Sequence, residues 1–308
     1  MGTPRNPIDK YTKGPMPKVH VSDPTAALNH IDLDLLTEWE QVSGEKLLAL
    51  PFGMEVWELD RHDSIKNQLL SAVAEITQGT STEVSSPIPS KDALRDEHTP
   101  TSFLIYNLSK DQANTLLERE VWSSMAITFR ITPLFTSCPD FLFSITGFST
   151  QVMQTVTTIV QNVWNDPAVR NSISDILLTI PFDERAETQQ DILNFLAALN
   201  VHYLDMKDTG GTLKPVFNVY SKGNLIKNDN TWTLLHDTLA TCDYRSSMQR
   251  SGKTHINLHH CGICHSVDHL RGLCTFPDIK GWNGPRKCPE EDRKAVRPGN
   301  FQDRPKRK

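Results

Sequence analysis

Four residues near the C-terminus have the types and spacing of a metal site. Cys261, Cys264, His269 and Cys274 read C-x2-C-x4-H-x4-C within fourteen residues. Three thiols and one imidazole form a complete tetrahedral ligand set for Zn²⁺. A segment this short cannot build an apolar core, so metal binding must supply its folding free energy. His259, His260 and His265 crowd the same stretch, and Cys288 follows Cys274, so the imidazole is assigned to His269 by spacing. Cys261-Gly-Ile-Cys264-His265 also spells the C-x-x-C-H of haem attachment, and C-x-x-C alone the thioredoxin-like redox motif. The first needs an oxidising compartment and leaves His269 and Cys274 unexplained; the second needs a βαβ pattern around it. Reduced thiols without metal are the remaining alternative, and the full four-ligand spacing argues against them.

Composition bounds what surrounds this motif. The chain has 308 residues, 38% of them hydrophobic, with Pro (19) outnumbering Gly (15), which points to irregular chain around an ordered centre. Six cysteines, three of them in the motif, do not make a secreted disulfide framework. The N-terminal residues lack the apolar core of a signal peptide and no run is long enough for a transmembrane helix, so a reducing nuclear or cytoplasmic location without membrane contact is expected. The net charge of −5 is unevenly spread. Residues 1–98 carry 9 basic and 16 acidic side chains (−7), residues 99–250 carry 11 and 15 (−4), and residues 251–308 carry 12 and 6 (+6). Positive charge thus gathers on the segment with the metal motif, as expected if that end meets phosphate. A solubilising charged tail would look the same.

The elements that must position the motif are read in chain order. Residues 1–30 are polar and Pro-punctuated and read as a disordered arm. Residues 31–79 form a small, mostly helical unit, with Leu33, Leu35, Leu36 and Trp39 on one stripe. A better helix carries Ile65, Leu69, Ala72, Val73 and Ile76, capped by Asp63 or Ser64 and stopped near Gly79. Residues 80–100 read as a linker. Residues 101–245 read as an α+β domain: strands at 102–108, 126–131, 141–145, 201–206 and 215–220, with helices between and after them. The order of its first part matches the ferredoxin-like split βαβ arrangement. Residues 246–285 form the zinc-knuckle region, entered through a polar hinge, and residues 286–308 a basic disordered tail.

Two resemblances follow from these residues. The spacing of Cys261, Cys264, His269 and Cys274 resembles the CCHC zinc knuckle of retroviral and retrotransposon nucleocapsid proteins. Gly262, His265 and Asp268 replace residues usual there, which puts base stacking in doubt but not the metal. The longer run from Cys261 through Gly281-Trp-Asn-Gly-Pro285, with Phe103-Leu-Ile-Tyr-Asn and Pro139-Asp-Phe-Leu-Phe-Ser-Ile145, resembles uncharacterised, mobile-element-like proteins of mushroom-forming fungi. Phe103–Leu108 and the Phe141/Phe143 pair also resemble the two strand motifs of RNA-recognition domains. Leu104 stands where a stacking aromatic belongs, however, so core packing is expected.

These readings imply a non-enzymatic, zinc-dependent protein that binds single-stranded RNA or DNA. Arg271, Lys280, Arg286, Lys287, Lys306, Arg307 and Lys308 would contact phosphate, and Phe276 or Trp282 would stack on bases unless they pack over the zinc loop, the reading that so small a module with little other apolar cover favours. The α+β domain would serve self-assembly or a protein partner. The alternative is a protein-interaction adaptor with a structural zinc clip. Neither a P-loop nor a metalloprotease or nucleophile-elbow motif is present.

Overall fold

The computed structural model describes residues 11–53, 61–79, 81–95, 100–179, 189–207, 211–246, 249–256 and 259–288. Within them the chain is α+β, built on two antiparallel five-stranded sheets. The first contains β1 (Glu45–Pro51), β2 (Glu83–Ser85), β3 (Phe103–Leu108), β4 (Val121–Ser123) and β5 (Thr128–Pro133), in the order β2-β3-β1-β5-β4. Its helices are α1 (Leu33–Gln41), α2 (His62–Thr77), α3 (Lys91–Arg95) and α4 (Lys110–Leu117). The second contains β6 (Phe141–Thr146), β7 (Asn200–Leu204), β8 (Val216–Tyr220), β9 (Tyr244–Ser246) and β10 (Gln249–His255), in the order β7-β8-β6-β10-β9. Helices α5 (Met153–Trp164), α6 (Pro167–Thr179), α7 (Gln189–Ala197) and α8 (Asp229–Ala240) belong to it.

The two orders are the same. Each half starts on its central strand, crosses by helix to an edge strand, returns beside the first strand, and crosses again to a two-strand hairpin on the other side. Leaving out the short strands β4 and β9, each is the split βαβ arrangement. The expected ferredoxin-like unit therefore occurs twice, and neither copy spans 101–245. Strand β1 pairs with β3 and β5, so the boundary drawn near residue 100 falls inside the first sheet. Strand β2 likewise lies in the stretch read as a linker. The polar hinge contains β10, paired with β6 and β9.

Burial explains the first sheet. Leu47 and Ala49 of β1, with Phe103, Ile105, Phe129 and Ile131, face Ile65, Leu69 and Val73 of α2 and Leu116 of α4. Leu48, Leu50 and Leu104 face the other way, onto Ile31 and the α1 residues Leu35 and Trp39. A strand covered on both sides reads as a continuous apolar run, which is what β1 and β3 show. The helix ends follow local chemistry. Asp32 caps α1 by accepting from the backbone N–H groups of Asp34 and Leu35, and Ser109 forms a reciprocal capping box with Gln112 at α4. Helix α2 starts at His62, one residue before the expected caps, and ends on Gln78 in the left-handed region.

In the second half, Leu142, Phe143, Ile145, Phe217 and Val219 pack beneath Val156, Val160, Trp164, Phe195, Trp232, Leu235 and Leu239. The opposite face of this sheet carries buried Ser144 and Asn218, bonded to each other at 2.7 Å. Its cover is not a helix but the loop that carries Cys261, Cys264, His269 and Cys274. The expected disordered arm is also corrected over residues 11–30. Tyr11 and Val19 are buried, Tyr11 edge-on against Trp122.

Candidate metal centre

Residues 259–288 contain no strand or α-helix, only two short 3-10 turns at Arg271–Leu273 and Phe276–Asp278. Backbone bonds wrap the loop tightly. Cys261 N–H donates to Ser266 O (2.8 Å) and His265 N–H to Cys261 O (2.9 Å), with His265 in the left-handed region at φ 62°. This wrapping brings one atom each from Cys261, Cys264, His269 and Cys274 within 4.8 Å of one another, and the group can hold a metal ion. The Sγ atoms of Cys264 and Cys274 are 3.8 Å apart, and Nε2 of His269 is 3.6 Å from Cys264 Sγ. The three ligand cysteines are buried and all six cysteines are free thiols.

The four side chains and Asp268 share their protons closely. Hydrogen bonds from the Cys264 and Cys274 thiols hold the Cys261 sulfur far below the ordinary thiol range, and the same sharing pushes Cys264 up. Nδ1 of His269 donates to Oδ1 of Asp268 at 2.6 Å. Burial opposes a charged imidazole, but Asp268 and the sulfurs outweigh it and raise His269 to about 11. Burial likewise opposes the Asp268 carboxylate, and its bonds to His269 and Ser266 bring it to about 2. With Nδ1 committed to Asp268, Nε2 is the nitrogen turned to the thiols.

The rival imidazoles point elsewhere. Nε2 of His265 reaches Pro51 O at 3.1 Å, and burial, then His260, pushes it down to about 4. His260 is exposed, His259 is buried with its Nε2 unpartnered, and Cys288 is exposed.

Other expected contacts are corrected. Phe276 and Trp282 are almost fully buried, packed with Phe52 of the first sheet rather than offered to bases. Arg271 donates to the carbonyls of Gly262, Arg286 and Lys287, a clasp across the loop. Arg286 donates to Trp282 O, and Lys287 pairs with Asp278 at 2.8 Å. Lys280 is exposed. Lys306, Arg307 and Lys308 lie outside the described residues.

The loop binds three parts of the chain. To the first sheet it presents Cys261, Ile263, Phe276 and Trp282 against Phe52 and Val121, and Gly53 N–H donates to Ile263 O. To the N-terminal arm it offers Val267 N–H, which donates to His20 O, while Ser266 Oγ accepts from His20 N–H. To the second sheet it offers Asp268, whose carbonyl accepts from Asn218 Nδ2 (2.6 Å) and whose Oδ2 accepts from Tyr220 OH (3.0 Å). Val267 packs on Phe141 and Tyr220. Sequence reasoning missed this joint because the anchoring residues look like ordinary strand residues; only Asp268, an acid next to a ligand histidine, carried a signal.

No family model, no curated protein and no solved structure matches this chain. Among the described residues no helix is long and apolar enough to cross a membrane.

Proposed function

We propose that Cys261, Cys264, His269 and Cys274 hold one Zn²⁺ as a closed structural clip, in a non-enzymatic protein that binds single-stranded nucleic acid through its positive C-terminal segment. The observation that carries the metal is the ligand spacing. A tetrahedral Zn²⁺ with Zn–S near 2.3 Å and Zn–N near 2.0 Å separates its ligand atoms by roughly 3.6–3.8 Å. The thiol–thiol and thiol–imidazole distances of 3.8 and 3.6 Å match that figure. Four protein ligands leave no position open for a water or substrate, which favours a structural over a catalytic role.

The nucleic-acid reading rests on charge. Residues 251–308 carry 12 basic against 6 acidic side chains, while both preceding segments are acidic. Such a segment attracts phosphate without reading sequence. The aromatic rings take no part, since Phe276 and Trp282 are core residues. Fluorescence anisotropy of labelled single-stranded RNA and DNA at two salt concentrations tests this. Binding that falls with salt and is lost on removing residues 289–308 supports it; absence of salt-sensitive binding to either strand overturns it.

One observation favours a protein-interaction adaptor instead. The knuckle's rings and Arg271 are turned inward to hold the fold, so the surface that would meet bases is spent on packing. A pull-down that recovers the same partner after nuclease treatment supports the adaptor.

A further inference from the structure

We propose that Asp268 is the positioning residue of the metal centre and that, through Tyr220 and Asn218, it makes metal affinity depend on docking of the second sheet. This rests on the zinc reading above. The Asp268 side chain is used on every side: Oδ1 accepts from His269 Nδ1 and Ser266 Oγ, each at 2.6 Å, and Oδ2 accepts from Tyr220 OH at 3.0 Å. His20 Nε2 approaches Oδ2 at 3.9 Å. Its carbonyl accepts from Asn218 Nδ2, whose own Oδ1 accepts from Ser144 Oγ at 2.7 Å.

Each link is geometric. A carboxylate on Nδ1 fixes the imidazole tautomer and ring angle, so that Nε2 offers its lone pair to the metal and is more basic for it. The carboxylate can do this only if it is held. Ser266 holds it from the metal loop, whereas Asn218 in the middle and Tyr220 at the end of β8 hold it from the second sheet. Ser144 and Asn218 are fully buried under this loop, and undocking would break the Asn218 and Tyr220 bonds to Asp268. Energy therefore flows both ways: a docked sheet tightens the metal, and by linkage a bound metal tightens the docking. A knuckle that worked alone would have no use for a tyrosine and an asparagine on a strand of another unit.

The full-length protein and its Asp268→Asn and Tyr220→Phe variants are titrated with zinc against a chromophoric chelator. The hydrogen bond of His269 Nδ1 is read in parallel by ¹⁵N-resolved NMR. Asp268→Asn should weaken zinc binding by about 10- to 100-fold and lose the strongly bonded Nδ1–H signal. Tyr220→Phe, which keeps the ring and its packing, should weaken zinc binding less, in the same direction, and shift that signal. Wild-type affinity in Tyr220→Phe with an unshifted His269 signal overturns the inference even if Asp268→Asn fails to fold. Failure of the wild type to bind zinc would instead overturn the metal reading itself.

Discussion

The ring of Phe276 stands edge-on to that of Phe52, with centroids 5.0 Å apart and planes at 89°. Trp282 closes the triangle, 5.6 Å from Phe52 and 5.3 Å from Phe276. Phe52 directly follows the first sheet's central strand and the other two belong to the metal loop, so this cluster is where the clip grips the first half. Phe52→Ala should cost about 3–5 kcal/mol in the zinc-loaded protein, the usual cost of emptying an aromatic site. It should cost much less after chelation, because the loop no longer presents its rings. Denaturant unfolding with and without chelator measures both, and equal costs would place Phe52 outside the clip.

Gly53 next to it has little room to change. Its φ is +68°, and an added Cβ would lie 2.4 Å from the ring of Pro285. Gly53→Ala should therefore force the 282–285 segment off the sheet and lower both stability and zinc affinity. A variant as stable and as tight as wild type would show that the segment has slack.

Metal removal should free the N-terminal arm. Val19 packs in the same cluster as the ligand cysteines, and His20 is bonded through its backbone to Ser266 and Val267. Lys13 and Lys18 offer trypsin sites beside these contacts. Chelation should speed cleavage at Lys18 well before cleavage inside either sheet, whereas unchanged cleavage would mean that the arm is held independently of the metal.

Stability should fall in acid through His265. Burial holds its folded value at about 4, below the ordinary 6.5. The unfolded chain therefore binds the extra proton first. The neutral-form advantage is whole above pH 6.5, declines as pH falls from there towards 4, and is gone below it. The difference between 6.5 and about 4 corresponds to roughly 3 kcal/mol. His265→Gln can still donate to Pro51 O and does not titrate, so its stability should fall less over this range. Acid competition for the thiolates is common to both zinc-saturated proteins and cancels in the difference. Parallel pH curves would refute the assignment.

How much of this was legible depended on whether the signal was local. The four ligands, the caps Ser109 and the stripe Ile65, Leu69, Ala72, Val73 and Ile76 are set by spacing along the chain, and each stands where spacing put it. Strand partners are not local. Nothing in Leu47–Leu50 names Phe103–Leu108 as its neighbour, so the first sheet was divided at residue 100. Strand β10 reads Gln-Arg-Ser-Gly-Lys-Thr-His and has no apolar alternation, because its core-facing positions are Gly252, close against Ile145 and Phe148, and Thr254, whose hydroxyl donates to the Ala240 carbonyl. Phe276 and Trp282 carried an ambiguous signal: an aromatic beside a metal loop suits a base or, where apolar cover is scarce, a core, and the position of Phe52 decides for the core.

The central claim is that one zinc ion ties the arm and both sheets together, and metal stoichiometry tests it most directly. Native mass spectrometry of the reduced full-length protein should find one zinc per chain, and Co²⁺ in its place should give the absorption of a tetrahedral thiolate site. Both should vanish in Cys261→Ser. A reduced, folded wild-type chain that carries no metal and takes up neither ion would contradict the account.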